Sequence, residues 1–249
     1  MPIVIKTEDE IAIMREAGRH VAEVLQILAR SVRPGVVEKE LDEIVRREFA
    51  RRGVVPTFLG YHGYPATVCV SVNDEIVHGI PGDRPFQEGD VVSIDLGCTY
   101  KGFVADSAIT IGVGRITPEA ERLIRVTEEA LWRGIRAARA GNRVGAIGHA
   151  IQSFVEAQGF SVVREYVGHG VGRQMHEDPQ VPNYGPPDWG PVLRVGMVLA
   201  IEPMVNMGDW RTKRDPDRWT VRTVDGSLSA HFEHTIAVTE GEPLVLTLP

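Results

Sequence analysis

The sequence is short of cysteine, of long apolar runs and of positive charge, and each shortage excludes a class of protein. Two cysteines in 249 residues, Cys69 and Cys98, are too few for a disulfide scaffold or a thiolate zinc cluster. A reducing compartment fits them. A run free of Asp, Glu, Lys and Arg covers Val54 to Asn73, but Pro56, Gly60, His62, Gly63 and Pro65 interrupt it, so no spanning helix is expected. The first ten residues lack the basic and then apolar pattern of a secretory signal, and a cytoplasmic location is the expectation. With 27 Lys and Arg against 34 Asp and Glu, the formal charge is −7, which argues against general nucleic-acid binding. Several motifs are also missing. There is no Gly-x-Ser-x-Gly elbow, no phosphate loop, and His176-Glu177 is followed by Gln180 where a zinc helix needs a second histidine.

What is present is an ordinary globular composition, 43% apolar and 24% charged, enough for one domain over residues 1–249 with its own core. Thr7 and Glu10 form a capping box ahead of Ile11, Met14, Val21, Leu25 and Leu28 at helical spacing. A second helix follows Arg33-Pro34-Gly35, carries Leu41, Ile44, Val45 and Phe49, and stops at Gly53. Strands are then expected over Val68 to Val72, Val91 to Leu96 and Phe103 to Ile111. At Thr117-Pro118-Glu119 the pattern restarts, with helices through Leu123 to Ala138 and Val144 to Val155, then strands around Val162, Val198, Val221 and Ile236.

Two helices followed by strands, twice over, make an α+β chain with an internal duplication. Gly35 and Gly53 recur as Gly141 and Gly159, and Gly89 to Asp95 recurs as Gly196 to Glu202. His78-Gly-Ile-Pro81 has a looser counterpart in His176-Glu-Asp-Pro179. The repeats span about 7–115 and 117–240, and a pseudo-twofold relation would put a site between them.

The acids stand where acids are unexpected. Asp95 and Asp106 each interrupt a largely apolar strand, and a hairpin closing about Tyr100 and Lys101 would set them directly opposite each other. Like charges so placed repel, and burial adds a desolvation penalty, so a cation is called for. Glu202 ends the equivalent strand of the second half, Glu233 sits in the apolar run His231 to Val238, and His169 lies in Gly168-His-Gly-Val-Gly172. Four carboxylates and one imidazole suit Mn, Fe, Co or Zn, and their formal −4 balances two divalent ions. Cys98 reads as a turn cysteine whose thiolate the nearby acids would disfavour.

This ligand order, with Gly60-Tyr-His-Gly-Tyr64, Val77-His-Gly-Ile-Pro81, Gly168-His-Gly-Val-Gly172 and Ile201-Glu-Pro-Met204, resembles the type I methionine aminopeptidases in their short bacterial form. The resemblance implies the pita-bread fold, a curved antiparallel sheet backed by paired helices with pseudo-twofold symmetry. It implies two divalent ions, with Asp106 and Glu233 bridging, Asp95 completing one site and His169 with Glu202 the other. It implies removal of the initiator methionine from nascent polypeptides with a small second residue, by a hydroxide that the two ions activate. Glu202, His176 and His78 would be catalytic, with both histidines also touching substrate. Tyr61, Tyr64, Cys69, Phe58, Met175 and Trp219 would line the methionine pocket, Met175 standing where the family more often has Phe.

Three other readings compete. An X-Pro aminopeptidase would keep fold and metals but usually carries a further N-terminal domain. A non-catalytic binding protein on the same fold predicts lost ligands, and all five are present. Docking on the ribosome through Arg122, Arg125, Arg136, Arg139 and Arg143 competes with an ordinary solvated helix face. A monomer is the expected state. For His20, His149, His231 and His234 packing is the expectation, while His62 is left open.

Overall fold

The computed structural model describes residues 2–249. Its helices begin and end on the expected signals. In α1 (Glu8–Ser31) the Thr7 hydroxyl accepts from the Glu10 N–H and the Glu10 carboxylate accepts from the Thr7 N–H. Helix α2 (Glu38–Arg52) stops at left-handed Gly53, α3 (Pro118–Ala137) starts on a Thr117 cap with proline in its first turn, and α4 (Val144–Ala157) ends just before Gly159.

The strands are β1 (Val55–Pro56), β2 (Cys69–Val72), β3 (Glu75–Val77), β4 (Val91–Tyr100), β5 (Phe103–Gly112), β6 (Ser161–Val162), β7 (Gly168–Gly170) and β8 (Glu177–Val181). There follow β9 (Val198–Ile201), β10 (Met204–Asn206), β11 (Thr212–Arg214), β12 (Val221–Thr223), β13 (Ser229–His231), β14 (Glu233–Ala237) and β15 (Leu244–Val245). A nine-stranded antiparallel sheet runs in the order β1-β4-β5-β14-β9-β7-β8, with β2 also paired to β4 and β15 to β14. Two three-stranded sheets, β13-β10-β6 and β11-β12-β3, adjoin it.

Alternation along the strands decides which face meets the helices. Val92, Ile94, Leu96 and Cys98 of β4 pack against Val21, Leu25, Leu28, Leu41 and Phe49 of α1 and α2. Leu199, Ile201 and Ile236 pack in the same way against Leu123, Leu131, Ile147 and Ile151 of α3 and α4. Each such fully buried side chain contributes about 1.5 to 3 kcal/mol. The residues between them, Asp95, Glu202 and Glu233 among them, are turned to the other face.

The duplication appears in matching hydrogen bonds. Gly35 N–H donates to Phe86 O, and Gly141 N–H to Leu193 O, each at 2.9 Å. Isolated bridges pair Val37 with Pro85 and Arg143 with Val192, at the same places in the two halves.

The hairpin between β4 and β5 corrects one expectation. Tyr100 pairs with Phe103, so the turn is the two residues Lys101 and Gly102, both at positive φ (48° and 79°), as a type I′ turn requires. Asp95 is therefore opposite Ala108, and Asp106 is opposite Gly97. The shift is two residues, an even number, so both acids stay on one face as diagonal neighbours. Gly97 leaves room there: a Cβ on it would meet the Phe58 ring at 2.8 Å. Cys98 is likewise not in a turn; it lies in β4 on the helix side, with its Sγ 3.4 Å from Ala17 O, and burial pushes its thiol up to about 12. Lys101 pays a left-handed conformation that asparagine tolerates better. Lys101→Asn should raise stability by up to about 1 kcal/mol, read from the denaturant midpoint.

Candidate metal centre

Five adjacent strands of the large sheet each deliver one candidate ligand to the face away from the helices. In sheet order they are Asp95 on β4, Asp106 on β5, Glu233 on β14, Glu202 one residue past β9, and His169 on β7. Ala108 faces Asp95 on one side and Glu233 on the other, which puts these two acids in one row across the sheet. Ligand atoms of Asp106, His169 and Glu233 lie within 4.8 Å of one another, and so do those of Glu202, His231 and Glu233.

The local backbone is held for this purpose. Thr235 Oγ1 accepts from Asp106 N–H and donates to Asp106 O, locking β5 to β14. Pro203 cannot donate to the ladder after β9, and there the buried Asn183 side chain donates to Glu202 O at 3.0 Å. The glycines flanking His169 allow close approach, since a Cβ on Gly168 would lie 2.3 Å from Ala200 O.

The electrostatics fit a cation. Burial raises the pKa of all four acids, Asp95 to about 7, and Asp106 is raised further by Glu233 and Asp95. Asp95 Oδ1, Asp106 Oδ1 and Glu233 Oε1 are buried without a hydrogen-bond partner among the described residues. His169 is neutral, its pKa lowered to about 3 by burial and by His176. Its Nδ1–H donates to Gly170 O at 2.9 Å, which leaves the Nε2 lone pair 3.4 Å from Glu202 Oε1. A lone pair and a carboxylate oxygen this close need a proton or a cation between them, and the donor set suits a divalent ion.

Beside the cluster is a cavity of about 250 Å³. All eight residues expected at substrate line it: Phe58, Tyr61, Tyr64, Cys69, His78, Met175, His176 and Trp219. Tyr61 OH shares a 2.7 Å hydrogen bond with His176 Nδ1, and the His176 ring lies 4.2 Å, centroid to centroid, from that of His169. His78 packs edge-on to Tyr166 and Trp219. Burial and the nearby His176 and Arg214 lower its pKa to about 4.

Some participants escaped the sequence reading. His62, left open there, lines the cavity, as do Val77, Tyr166, Val167 and Met204. Tyr166 offered no signal beyond its position three residues before His169. Glu177, next to His176, is tied by a buried ion pair at 2.6 Å to Lys6 in the segment ahead of α1. His231, expected to be a packing residue, lies instead at the cluster, with Nε2 3.7 Å from Glu202 Oε2. A clue existed: it precedes Glu233 by two residues, the period of an extended chain. His20 packs on Tyr100, exposed His149 is on α4, and His234 bonds Thr247.

The sequence profile described as Metallopeptidase family M24 matches residues 12–240. Methionine aminopeptidase 1 of Bacillus subtilis (strain 168) is 54% identical over 238 residues, covering 96% of each chain. This chain belongs to metallopeptidase family M24, among its methionine aminopeptidases. The crystal structure of a Thermotoga maritima methionine aminopeptidase, 48% identical, superposes with a TM-score of 0.98 over the full length of both chains. An Xaa-Pro dipeptidase from Bacillus anthracis, 24% identical, shares the fold alone, with a TM-score of 0.77 over 98% of this chain and 61% of its own. The pita-bread fold expected for the family is thus the observed one, and the acidic and histidine cluster is a candidate metal site in a chain of the M24 metallopeptidase family.

Proposed function

We propose that this chain removes the N-terminal methionine from nascent polypeptides whose second residue is small. The observation that carries the proposal is the convergence of four acids and His169 from five adjacent strands on one end of a cavity walled by Phe58, Tyr64, Met175 and Trp219. A methionine thioether gains roughly 0.3 to 1.5 kcal/mol from sulfur to aromatic contacts of this kind. Two divalent ions, Mn, Fe, Co or Zn, would be held by Asp106 and Glu233 jointly, by Asp95, and by His169 with Glu202. When bound they supply a polarised scissile carbonyl and a water made nucleophilic near neutral pH.

The chain's own residues supply the rest. Glu202 takes the proton of the attacking water on a carboxylate oxygen and passes it to the leaving amine, a role worth about 10² to 10⁴ in rate. Tyr61 is kept protonated by burial and donates to His176 Nδ1. That tautomer leaves the His176 Nε2–H to donate to the carbonyl oxygen as it gains charge. His78 contacts the substrate next to the scissile amide.

The working unit is the single domain 1–249, with repeats over about 7–115 and 117–240, acting as a cytoplasmic monomer. No helix among the described residues is long and apolar enough to cross a membrane. For ribosome docking the support is thin: Arg122, Arg136, Arg139 and Arg143 all bond groups of their own chain. A solvated helix face accounts for them.

The direct test is hydrolysis of Met-Ala-Ser and Met-Pro peptides by protein stripped of metal and then titrated with Mn, Fe, Co or Zn. Activity should vanish on chelation and return with at least one of the four ions. Full activity after exhaustive chelation would refute the metal-dependent reading, and equal cleavage of Leu-Ala-Ser would refute the methionine pocket.

A further inference from the structure

Glu202 lies between two imidazoles. Its Oε1 is 3.4 Å from His169 Nε2 and its Oε2 is 3.7 Å from His231 Nε2, which is also 4.0 Å from Glu233 Oε2. The two rings are not equivalent. His169 has its Nδ1–H engaged by Gly170 O, so it offers a lone pair to the cluster. The His231 Nε2 is buried and has no partner among the described residues.

The backbone aims His231 at this spot. Thr110 on β5 clamps it twice: its Oγ1 accepts from His231 N–H at 2.8 Å and donates to His231 O at 2.7 Å. The same hydroxyl lies 2.8 Å from Ser93 Oγ on β4, so both strands bearing the aspartates hold the residue in place. A neutral imidazole has one N–H to place. A buried donor beside two carboxylates needs an acceptor.

We propose that His231 is a positioning residue for Glu202, its Nε2–H donating to Glu202 Oε2 and holding that carboxylate in the orientation used by the metal centre. Contacts of this kind commonly lengthen when a site is empty and tighten when it is filled. The inference rests on the functional reading above and assigns the residue no bond to metal: His169 supplies the imidazole ligand, and His231 orients the carboxylate from behind.

The test uses zinc-loaded full-length protein labelled with ¹⁵N-histidine, the His231 signal being assigned by its loss in His231→Gln. A protonated Nε2 on His231 is expected, and an unprotonated Nε2 shifted by zinc would overturn the proposal in favour of direct ligation. Calorimetric titration with Mn²⁺ is the second readout. His231→Gln, which retains an N–H donor, should bind within about threefold of wild type, while His231→Leu should bind about 10- to 100-fold more weakly. The pH profile of kcat/KM should shift in His231→Leu and recover in His231→Gln. A Leu variant matching wild type in affinity and profile would sink the idea, whereas wild-type protein that bound no metal and left Met-Ala-Ser intact would instead overturn the functional reading itself.

Discussion

Asp106→Asn should lose bound metal and turnover together, with kcat/KM falling by on the order of 10⁴-fold or more, because both the polarised carbonyl and the activated water depend on the ions. Asp106 is almost wholly buried, and its ligand atom lies within 4.8 Å of those of both His169 and Glu233. The amide keeps the shape of the carboxylate and removes its charge. It also removes a repulsion, since Glu233 and Asp95 both push the Asp106 pKa up. The metal-free variant should therefore melt at or above the metal-free wild type, but gain nothing when Mn²⁺ is added. His78→Ala separates the roles: it lines the cavity and belongs to neither ligand cluster, so it should keep full metal content and lose about 10²-fold in rate. Metal analysis, thermal shift and steady-state kinetics on both variants decide the matter. Equal metal loss in the two would show that His78 is part of the metal site.

Metal-free protein should lose stability as pH rises above about 6.5. On the alkaline side the cause is the carboxylates. Asp95 is raised from 3.8 to about 7 in the fold, and Asp106, Glu202 and Glu233 are raised well above their ordinary values. Above the unfolded pKa the unfolded chain has released protons that the folded chain still binds, so stability falls as pH rises. Between about pH 4 and 6.5 the histidines act in the opposite sense. His78 and His234 are lowered to about 4, and His169 and His231 to about 3, against 6.5 when unfolded. Below pH 6.5 the unfolded chain binds protons that the folded chain refuses, which offsets the gain from the protonated acids and leaves stability nearly level there. Calorimetry on chelated protein should show a melting temperature lower by about 5 °C or more at pH 8.5 than at pH 6.5. Saturating Mn²⁺ should abolish that alkaline loss, because the ions hold the acids ionised. A melting temperature that climbs steadily to pH 8.5 without metal would contradict the burial of four uncompensated carboxylates.

Local signals accounted for much of the fold. The Thr7 and Glu10 box, the Thr117-Pro118 start and the stop at Gly53 are short-range chemistry, and the structure uses each of them. The hairpin register was misjudged by two residues because the β4 and β5 strands run on through Tyr100 and Phe103 into a turn of only two residues. Lys101 at positive φ hid that turn, since lysine is not the residue such a position advertises. Acids in apolar strands stood out in the sequence, and the five candidate ligands read from it are brought together on one face of the sheet. His231 did not stand out, because a histidine at a strand end is ordinary until its neighbours are known.

By itself, the sequence determined which residue types were out of place, how the helices begin and end, and which side of each strand meets the helices. Only the tertiary structure decided who stands beside whom. The candidate ligands come in the chain order Asp95, Asp106, His169, Glu202, Glu233, yet across the sheet the order is Asp95, Asp106, Glu233, Glu202, His169. The next-to-last strand in the chain, β14, inserts between β5 and β9 and brings Glu233 into the row with Asp95. Periodicity fixes the face that a side chain takes within its own strand, but pairing between strands more than a hundred residues apart is settled by packing both helix pairs on one sheet.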